Sequence, residues 1–305
     1  SLTYSELNER ANRLAHYLRD IGVKDGILVA ISIERSIELI INLLGVLKAG
    51  GAYIFIDPKY PNKRLQFILQ DTGATILLTT ESAIKLLPWL HNLQYAPNNI
   101  NIIIWEKFST IIALYQSNNL VNINTSNSVM YLVYTSGSTG YPKGVCEIHK
   151  GIINRLAWSW QAFPFNPNEV CYQKTSLNFV DHAAEIFSPL LQGIPLVLLP
   201  ESAAHTINIT QMIEYMTTHC VSRVVVVPAL LQLILQVGRE QLSQLRGLRY
   251  VFCSGEVLSK TLSYLFYELL PWAKLINIYG SSEVSADVTY YPVAPVVQQN
   301  FILSF

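Results

Sequence analysis

The chain has 305 residues, half of them hydrophobic, and 21 lysines and arginines balance 21 aspartates and glutamates to a formal net charge of zero. That length can bury a large core in one big domain or in two smaller ones. The lack of basic clusters argues against binding to nucleic acid or to an anionic membrane, and no apolar run reaches the roughly 18–20 residues that a membrane span needs.

The four cysteines lie far apart in the sequence and form no Cys-x-x-Cys pair, and the six histidines are scattered. This distribution is typical of reduced thiols in a cytoplasmic protein rather than of a zinc site. We therefore predict mostly buried, unpaired cysteines and a cytoplasmic location.

The first part of the chain alternates helical and strand-like segments. Thr3 and Glu6 form a capping-box pattern ahead of an amphipathic helix. Further helices are predicted at residues 36–48 and 63–70, and strands at 27–33, 52–56 and 75–79. This alternation predicts doubly wound, largely parallel α/β sheets with flanking helices. The asparagine-rich region from about 92 to 127 is interpreted as a surface connection that holds one strand near 102–105.

Residues 131–144 read Tyr-Leu-Val-Tyr-Thr-Ser-Gly-Ser-Thr-Gly-Tyr-Pro-Lys-Gly, so a β-prone run leads into a glycine- and hydroxyl-rich turn. Free backbone N–H groups, short hydroxyls and the ammonium of Lys143 are the groups that hold a polyphosphate. The spacing differs from that of a Walker A loop. Taken alone, such a turn is more often a mobile linker than a phosphate-binding loop.

The second half continues with a helix from about Ile152, in which Trp158 and Trp160 are interpreted as packing residues. The segment Asn-Phe-Val-Asp-His-Ala-Ala-Glu-Ile-Phe from Asn178 opens another helix, and strands are predicted at residues 195–199, 224–227 and 248–253. The last motif is Asn-Ile-Tyr-Gly-Ser-Ser-Glu, ending at Glu283. Several strand ends thus converge on glycine-bearing loops, where a doubly wound sheet binds ligands.

Together these motifs resemble those of the acyl-adenylate-forming enzymes, the superfamily of acyl-CoA synthetases, luciferases and nonribosomal peptide synthetase adenylation domains. Thr-Ser-Gly-Ser-Thr-Gly-x-Pro-Lys-Gly is highly specific for that family, and four further motifs follow the family's order from Leu2 to about Tyr291. The resemblance implies an N-terminal adenylation core at residues 1–293, made of two intertwined α/β subdomains, with residues 294–305 unassigned.

The family's later motifs and its lysine-bearing C-terminal subdomain do not follow Glu283 in this sequence. The chain is therefore expected to be a fragment that lacks that subdomain. Because the missing lysine would stabilise charge in the transition state, we expect the fragment alone to be poorly active.

The resemblance also implies a nucleotide site that binds ATP with Mg²⁺. The phosphates would be held by the residues of the glycine-rich turn, which are Thr135, Ser136, Gly137, Ser138, Thr139, Gly140 and Lys143. Asn277 would bind the adenine edge, Tyr279 would stack on the ring, and Gly255 and Glu256 would line the opposite wall. The remaining assignments fall in the last motif, with Gly280 and Ser281 beside the nucleotide, Ser282 on the α-phosphate and Glu283 on the metal. Lys143, Ser282 and Glu283 are the expected catalytic residues.

The acid pocket departs from the family's usual pattern. Adenylation domains for α-amino acids usually carry Phe-Asp here, and the aspartate pairs with the α-ammonium. In this chain Val180 follows Phe179, and the carboxylate comes one residue later, at Asp181. Because a buried ammonium needs a paired carboxylate, the shift argues against an α-amino acid and favours an amine placed farther along the substrate.

The family's pocket pattern adds seven further residues to Val180 and Asp181. These are Ala184, Val226, Phe252, Ser254, Ile278, Ala286 and Asp287. The set resembles the one associated with β-alanine, with Phe252 shortening the cavity and Asp181 and Asp287 sharing one ammonium. The alternative is that Asp181 only caps a helix and Asp287 is solvated.

The sequence therefore predicts ATP-dependent activation of a small β-amino acid, with release of pyrophosphate and loading onto the phosphopantetheine of a carrier protein. Two alternatives stay open. One is an acyl- or aryl-acid ligase in which Asp181 serves another polar group, and the other is a truncated nucleotide-binding module that turns nothing over.

Overall fold

The computed structural model describes residues 1–91, 100–135, 142–199 and 208–295. The chain divides into two compact units, Ser1–Ala157 with Ser176–Val180, and Trp158–Thr175 with Asp181–Phe305. Among the described residues each unit carries one six-stranded, mostly parallel sheet with flanking helices. The predicted α/β fold class is confirmed.

The first unit is built around a sheet whose strands are β1 (Leu28–Ser32), β2 (Ala52–Phe55), β3 (Ile76–Thr79), β4 (Asn101–Ile104), β5 (Val129–Thr135) and β6 (Lys143–Ile148). Their order is β4-β3-β1-β2-β5-β6, and the described neighbours run parallel except for the antiparallel pair β5–β6. The flanking helices are α1 (Tyr4–Asp20), α2 (Ile37–Ala49), α3 (Asn62–Thr72), α4 (Glu81–Lys85) and α5 (Trp105–Ile112), with a 3₁₀ turn at Pro88–His91. Helix α6 (His149–Ala162) starts in this unit and ends in the second one.

The capping box at the start of α1 is confirmed. The hydroxyl of Thr3 accepts a hydrogen bond from the backbone N–H of Glu6 at 3.2 Å, and the Glu6 carboxylate accepts one from the Thr3 N–H at 2.7 Å. The reciprocal bonds satisfy two backbone donors that the helix itself leaves unpaired. The predicted boundaries of α2 and β1–β3 agree with the structure to within two residues.

The region from 92 to 127 was only partly predicted. The strand near 102–105 is β4, but the residues directly after it form α5, where a surface connection is predicted. The following segment is held against α1 by side chains of that helix: Arg13 donates to the carbonyls of Ala113 at 2.5 Å and Tyr115 at 2.7 Å, and Arg19 donates to Val121 at 2.7 Å. These bonds satisfy a backbone that has no strand partner in the described sheet.

The second unit has the strands β7 (Cys171–Gln173), β8 (Leu196–Leu198), β9 (Arg223–Val226), β10 (Tyr250–Cys253), β11 (Lys274–Ser281) and β12 (Ala286–Pro292). Its described helices are α7 (Asp181–Leu190), α8 (Ile209–Thr218), α9 (Pro228–Leu235), α10 (Arg239–Leu242) and α11 (Lys260–Leu269), with a 3₁₀ turn at Ser282–Val284. The strand order is β12-β11-β10-β9-β7-β8. In the described sheet the neighbours run parallel except for the hairpin β11–β12.

The two faces of the second sheet carry different cores because side chains alternate along a strand. Val226, Cys253 and Leu275 belong to a large aliphatic cluster that includes residues of α8, α9 and α11. The opposite face carries an aromatic cluster. Its members are Phe163, Ile276 and Ile278, with Trp158, Ala162, Tyr250 and Phe252 packed against them. The predicted packing role of Trp158 is confirmed.

The cysteines are free thiols, but only two of them are buried. Cys171 and Cys253 are buried, and burial raises the pKa of each thiol to about 12. Cys146 and Cys220 are exposed, so the prediction of mostly buried cysteines was wrong for half of them. Among the described residues, no helix is both long and apolar enough to cross a membrane.

A buried ion pair fixes the segment between α6 and β7. Arg223 on β9 donates from Nε and Nη2 to the two carboxylate oxygens of Glu169, and it also donates to the carbonyls of Phe163 at 2.6 Å and Pro164 at 2.7 Å. The guanidinium lies 3.9 Å from the centre of the Phe165 ring. Since both charges are buried and hydrogen-bonded, removing either one leaves the other without compensation.

We expect Arg223→Leu to lower the free energy of unfolding by about 3–5 kcal/mol, because Glu169 then stays buried as an unpaired charge. Urea denaturation would measure the loss. The matched control is Arg239→Leu, which breaks an exposed ion pair with Glu268 and should cost no more than about 1 kcal/mol. Equal losses in the two variants would contradict a structural role for the buried pair.

Candidate functional site

The predicted phosphate-binding turn connects β5 to β6 in the first unit. Thr135 ends β5, Lys143 begins β6, and the two residues are register partners across the hairpin. Ser136, Gly137, Ser138, Thr139 and Gly140 lie outside the described residues. The sequence predicts Lys143 in the glycine-rich turn, whereas antiparallel pairing with β5 makes it an exposed strand residue. The turn therefore starts and ends at adjacent positions of one sheet.

A hydrogen bond to α3 anchors the base of this hairpin. The hydroxyl of Tyr134 donates to the Asp71 carboxylate at 2.6 Å, and its ring meets Phe67 edge-on with the centroids 6.3 Å apart. Partial burial, together with the Asp71 carboxylate, raises the pKa of Tyr134 well above its usual value. A Cβ added at Gly144 would lie 3.2 Å from the Tyr134 ring, so the missing side chain lets the ring lie across the partner strand.

The last sequence motif lies on β11 and the turn after it, in the second unit. Asn277 is half-buried, Ile278 is buried, and Tyr279 is 71% exposed, so a face of its ring is open to a ligand. Gly280 and Ser281 complete β11. Two of the three predicted catalytic residues, Ser282 and Glu283, lie in the 3₁₀ turn at Ser282–Val284, where Ser282 is half-buried and Glu283 is exposed.

The hairpin that carries this motif is unusually tight. Ser285 and Ala286 have φ values of 58° and 80°, in the left-handed region that side chains other than glycine rarely adopt. A Cβ added at Gly280 would lie only 1.4 Å from the carbonyl oxygen of Ala286. Backbone strain of this kind persists only where the surrounding structure enforces it, and it is common at ligand sites.

Two members of the predicted acid pocket meet in the second unit. Asp181 is the first residue of α7, and Ser254 directly follows β10. The Ser254 hydroxyl donates to the Asp181 carboxylate at 3.1 Å, although the residues are 73 positions apart in the chain. Because α7 begins at Asp181, its carboxylate lies in the first turn of the helix, where a negative charge interacts favourably with the helix dipole. Ser254 is 7% exposed, so the carboxylate is held against a largely buried hydroxyl.

The structure distributes the other predicted pocket residues over both faces of the sheet. Phe252 and Ile278 belong to the aromatic cluster, while Val226 is the register partner of Cys253 and belongs to the aliphatic cluster on the opposite face. Of the remaining members, Val180, Ala184 and Asp287 are half-buried and Ala286 is buried. The predicted adenine-wall residues Gly255 and Glu256 are exposed, and Gly255 has a φ of 87°.

Glu185, which lies one turn after Asp181 on α7, is absent from the residues predicted from the sequence. Its buried carboxylate accepts hydrogen bonds from the backbone N–H groups of Lys174 at 3.0 Å and Thr175 at 2.8 Å, and from the Thr175 hydroxyl at 2.8 Å. Burial raises the pKa of Glu185, and the nearby Lys174 ammonium and these bonds partly offset the rise. Glu185 therefore ties the helix of Asp181 to the end of β7. A glutamate within the apolar run Ala-Ala-Glu-Ile-Phe was the available signal.

Comparison with known proteins shows the family. The profile of the AMP-binding enzymes matches residues 1–302, so the chain belongs to the AMP-binding enzyme family. It is 37% identical over 292 residues to tyrocidine synthase 3 of Brevibacillus parabrevis, and the alignment covers 96% of this chain and 4% of that protein. The chain thus spans a small part of this much longer relative.

Solved structures place the chain within the adenylation type of this family. The crystal structure of the nonribosomal peptide synthetase FmoA3 superposes with a TM-score of 0.85 at 26% identity, covering 98% of this chain and 30% of that one. The N-terminal subdomain of NpsA from Klebsiella oxytoca gives a TM-score of 0.80 at 25% identity, covering 96% of this chain and 69% of that one. The chain is an AMP-binding domain of the nonribosomal peptide synthetase adenylation type and corresponds to its N-terminal core.

We expect Gly280→Ala to destabilise the second unit by more than about 3 kcal/mol, because the new methyl group would overlap the Ala286 carbonyl and force the hairpin open. Thermal or urea denaturation would measure the loss. Gly193→Ala is the control: it has a φ of 69° but open space around it, so only the left-handed strain of about 1–2 kcal/mol applies. If Gly280→Ala were no less stable than the control, the close approach of Gly280 to the Ala286 carbonyl would be contradicted.

Proposed function

We propose that the chain is the nucleotide- and acid-binding core of an enzyme that activates a small β-amino acid, with β-alanine as the best fit, as its adenylate. The observation that carries the proposal is the hydrogen bond between Ser254 and Asp181. It fixes a carboxylate one residue beyond the position at which α-amino-acid-activating members of the family usually hold theirs. An ammonium on the β-carbon of the acid fits that displacement.

The reaction is the transfer of AMP to the acid. A carboxylate oxygen of the acid forms a bond to the α-phosphorus of ATP, and the bond from that phosphorus to the oxygen bridging to the β-phosphate breaks. Pyrophosphate leaves with the electron pair. The balance needs no oxidant or reductant, only the two substrates and stabilisation of the charge on the transferring phosphoryl group.

The residues of the chain suit separate parts of this task. Lys143 and the hydroxyl of Thr135, at the two ends of the glycine-rich turn, would hold phosphate oxygens. The exposed Tyr279 ring would stack on adenine, the Asn277 amide would bind its edge, and the Ser282 hydroxyl would bind the α-phosphate.

Mg²⁺ would be held by the carboxylate of Glu283, an exposed hard oxygen donor. Within the described ranges, no group of three or more His, Cys, Asp or Glu side chains could hold a metal ion. The donor set therefore fits a metal that takes its other ligands from the nucleotide phosphates and water rather than one held by a protein cage. When bound, such a metal would neutralise charge on the phosphates.

The electrostatics of the pocket favour a cationic acid. Asp181 is half-buried, and its carboxylate accepts a hydrogen bond from the neutral hydroxyl of Ser254. Asp287, half-buried near the start of β12, supplies a second carboxylate in the proposed set. Because a desolvated ammonium needs a carboxylate partner, the pocket should select an amine-bearing acid over a neutral one of equal size.

Related structures support the general class of reaction. FmoA3 has been solved in an α-methyl-L-serine-AMP bound form, and the NpsA subdomain in complex with 3-hydroxyanthranilyl-AMSN. The first is an amino-acid adenylate, whereas the second favours an aryl-acid ligase as the second candidate function here. An artificially fused adenylation–PCP di-domain of NpsA and ThdA supports transfer to the phosphopantetheine thiol of a carrier protein.

ATP–pyrophosphate exchange in the longest form of the protein that carries this chain would test the assignment. We expect exchange to be fastest with β-alanine, and Asp181→Ala to lower kcat/KM for β-alanine by about 30- to 1,000-fold, the effect of removing one partner of a desolvated charge pair. Propionate, which has no amine, should change by only a few fold. The matched control, Ser254→Ala, removes one neutral hydrogen bond and should cost about fivefold.

Each alternative gives a different result in the same assay. Faster exchange with an aryl acid, together with indifference to Asp181→Ala, would support the aryl-acid ligase and contradict the β-amino acid. ATP binding by calorimetry without exchange for any acid would support a module that binds nucleotide and turns nothing over. We expect the 305-residue chain by itself to bind ATP but to exchange slowly.

A further inference from the structure

We propose that Phe163, which belongs to none of the predicted sites, determines how large an acid the pocket accepts by holding Phe252 in place. The inference rests on the proposed function, because it concerns the wall of the proposed acid pocket. Phe163 directly follows α6 and is only 6% exposed, so it would not contact the bound acid directly. Its influence on specificity would pass through its neighbours.

The ring of Phe163 lies at the centre of the aromatic cluster. It meets Phe252 at a centroid distance of 5.3 Å and an interplanar angle of 76°, and Tyr250 at 5.5 Å and 65°. The rings of Trp158 and Tyr290 also pack against Phe163, with centroid distances of 6.0 and 5.7 Å. Edge-to-face contacts of this kind define the orientation of each ring as well as its position.

Two predicted pocket residues depend on this one ring. Phe252 and Ile278 lie on the same face of the sheet, on the adjacent strands β10 and β11, and both belong to the cluster around Phe163. Tyr250 stacks on Phe252 with the rings 5.9 Å apart, which restricts motion of Phe252 along its own strand. Phe163 thus packs directly against Phe252.

The backbone of Phe163 cannot easily move away. Its carbonyl accepts a hydrogen bond from Arg223 at 2.6 Å, and its N–H donates to the carbonyl of Ser159 at 2.8 Å. Arg223 is itself locked by both oxygens of Glu169. A ligand that pushed Phe252 backwards would therefore meet a ring whose backbone is held in place by a buried ionic network.

This arrangement predicts which acids are excluded. Phe252 precedes Ser254 by two residues, and the Ser254 hydroxyl contacts Asp181. In the proposed pocket, with the amine of the acid paired to Asp181, a substituent on the amine-bearing carbon would therefore extend towards Phe252. A smaller residue at 163 would let the Phe252 ring turn back into the cluster and admit that substituent. The substrates that such a variant should accept better are the 3-substituted β-amino acids, of which 3-aminobutanoate is the smallest.

The experiment compares exchange kinetics for β-alanine and 3-aminobutanoate in Phe163→Leu and Phe163→Met. We expect the ratio of kcat/KM for 3-aminobutanoate to that for β-alanine to rise at least about tenfold in both variants, mainly through KM for the acid. KM for ATP should stay within about twofold. The Met variant keeps more of the cluster filled, so it guards against simple loss of folding.

Trp158→Leu is the matched control. It removes a ring that contacts Phe163 and Tyr290 in the same cluster, so it loosens the same core. We expect it to lower thermal stability to a similar extent and to leave the substrate ratio unchanged. An equal rise in the ratio for Trp158→Leu would show a general softening of the cluster and overturn the inference, as would loss of ATP binding in both Phe163 variants.

Failure of this inference and failure of the proposed function are distinguishable. A wild-type protein that exchanges with no β-amino acid contradicts the proposed function, and the comparison is then made with its preferred acid and the next larger homologue. A wild-type protein that prefers β-alanine, with an unchanged ratio in both Phe163 variants, contradicts only the role of Phe163.

Discussion

The parallel register of β9, β10 and β11 is the constraint on which the candidate acid site depends. It places Val226, Cys253 and Asn277 side by side, so the residues that follow them emerge at the same edge of the sheet. Ser254 comes from this edge, and its hydroxyl meets Asp181 at the start of α7. Because the carboxyl ends of parallel strands share one edge, side chains far apart in the sequence can serve one ligand.

Behind this edge, the second unit is reinforced by buried polar groups that lie outside the predicted site. Glu169 and Arg223 fix the segment that carries Phe163, and Glu185 ties α7 to the end of β7. Each carboxylate is buried and accepts several hydrogen bonds. Such satisfied networks cost stability when broken and restrict the protein to one arrangement of its pocket walls. In the proposed site, these networks would fix the positions of Asp181 and Phe252.

The fold class could be predicted from the sequence because buried parallel strands are continuous apolar runs, such as Val224 to Val226. The start of α1 could be predicted because the capping box at Thr3 depends only on neighbouring residues. The sequence did not predict that Lys143 lies on a strand, since antiparallel pairing with β5 is a tertiary contact. The roles of Glu185 and Phe163 also depend on partners far away in the chain. The pocket pattern treated Val226 and Phe252 alike, whereas strand alternation puts them on opposite faces.

The most direct test of the central claim is a crystal structure of the chain with β-alanine and a non-hydrolysable ATP analogue, because it locates the ammonium. We predict that the ammonium nitrogen lies within about 3 Å of an Asp181 carboxylate oxygen, with the Ser254 hydroxyl still donating to that carboxylate. An ammonium bound elsewhere, out of reach of the Asp181 carboxylate, would contradict the account.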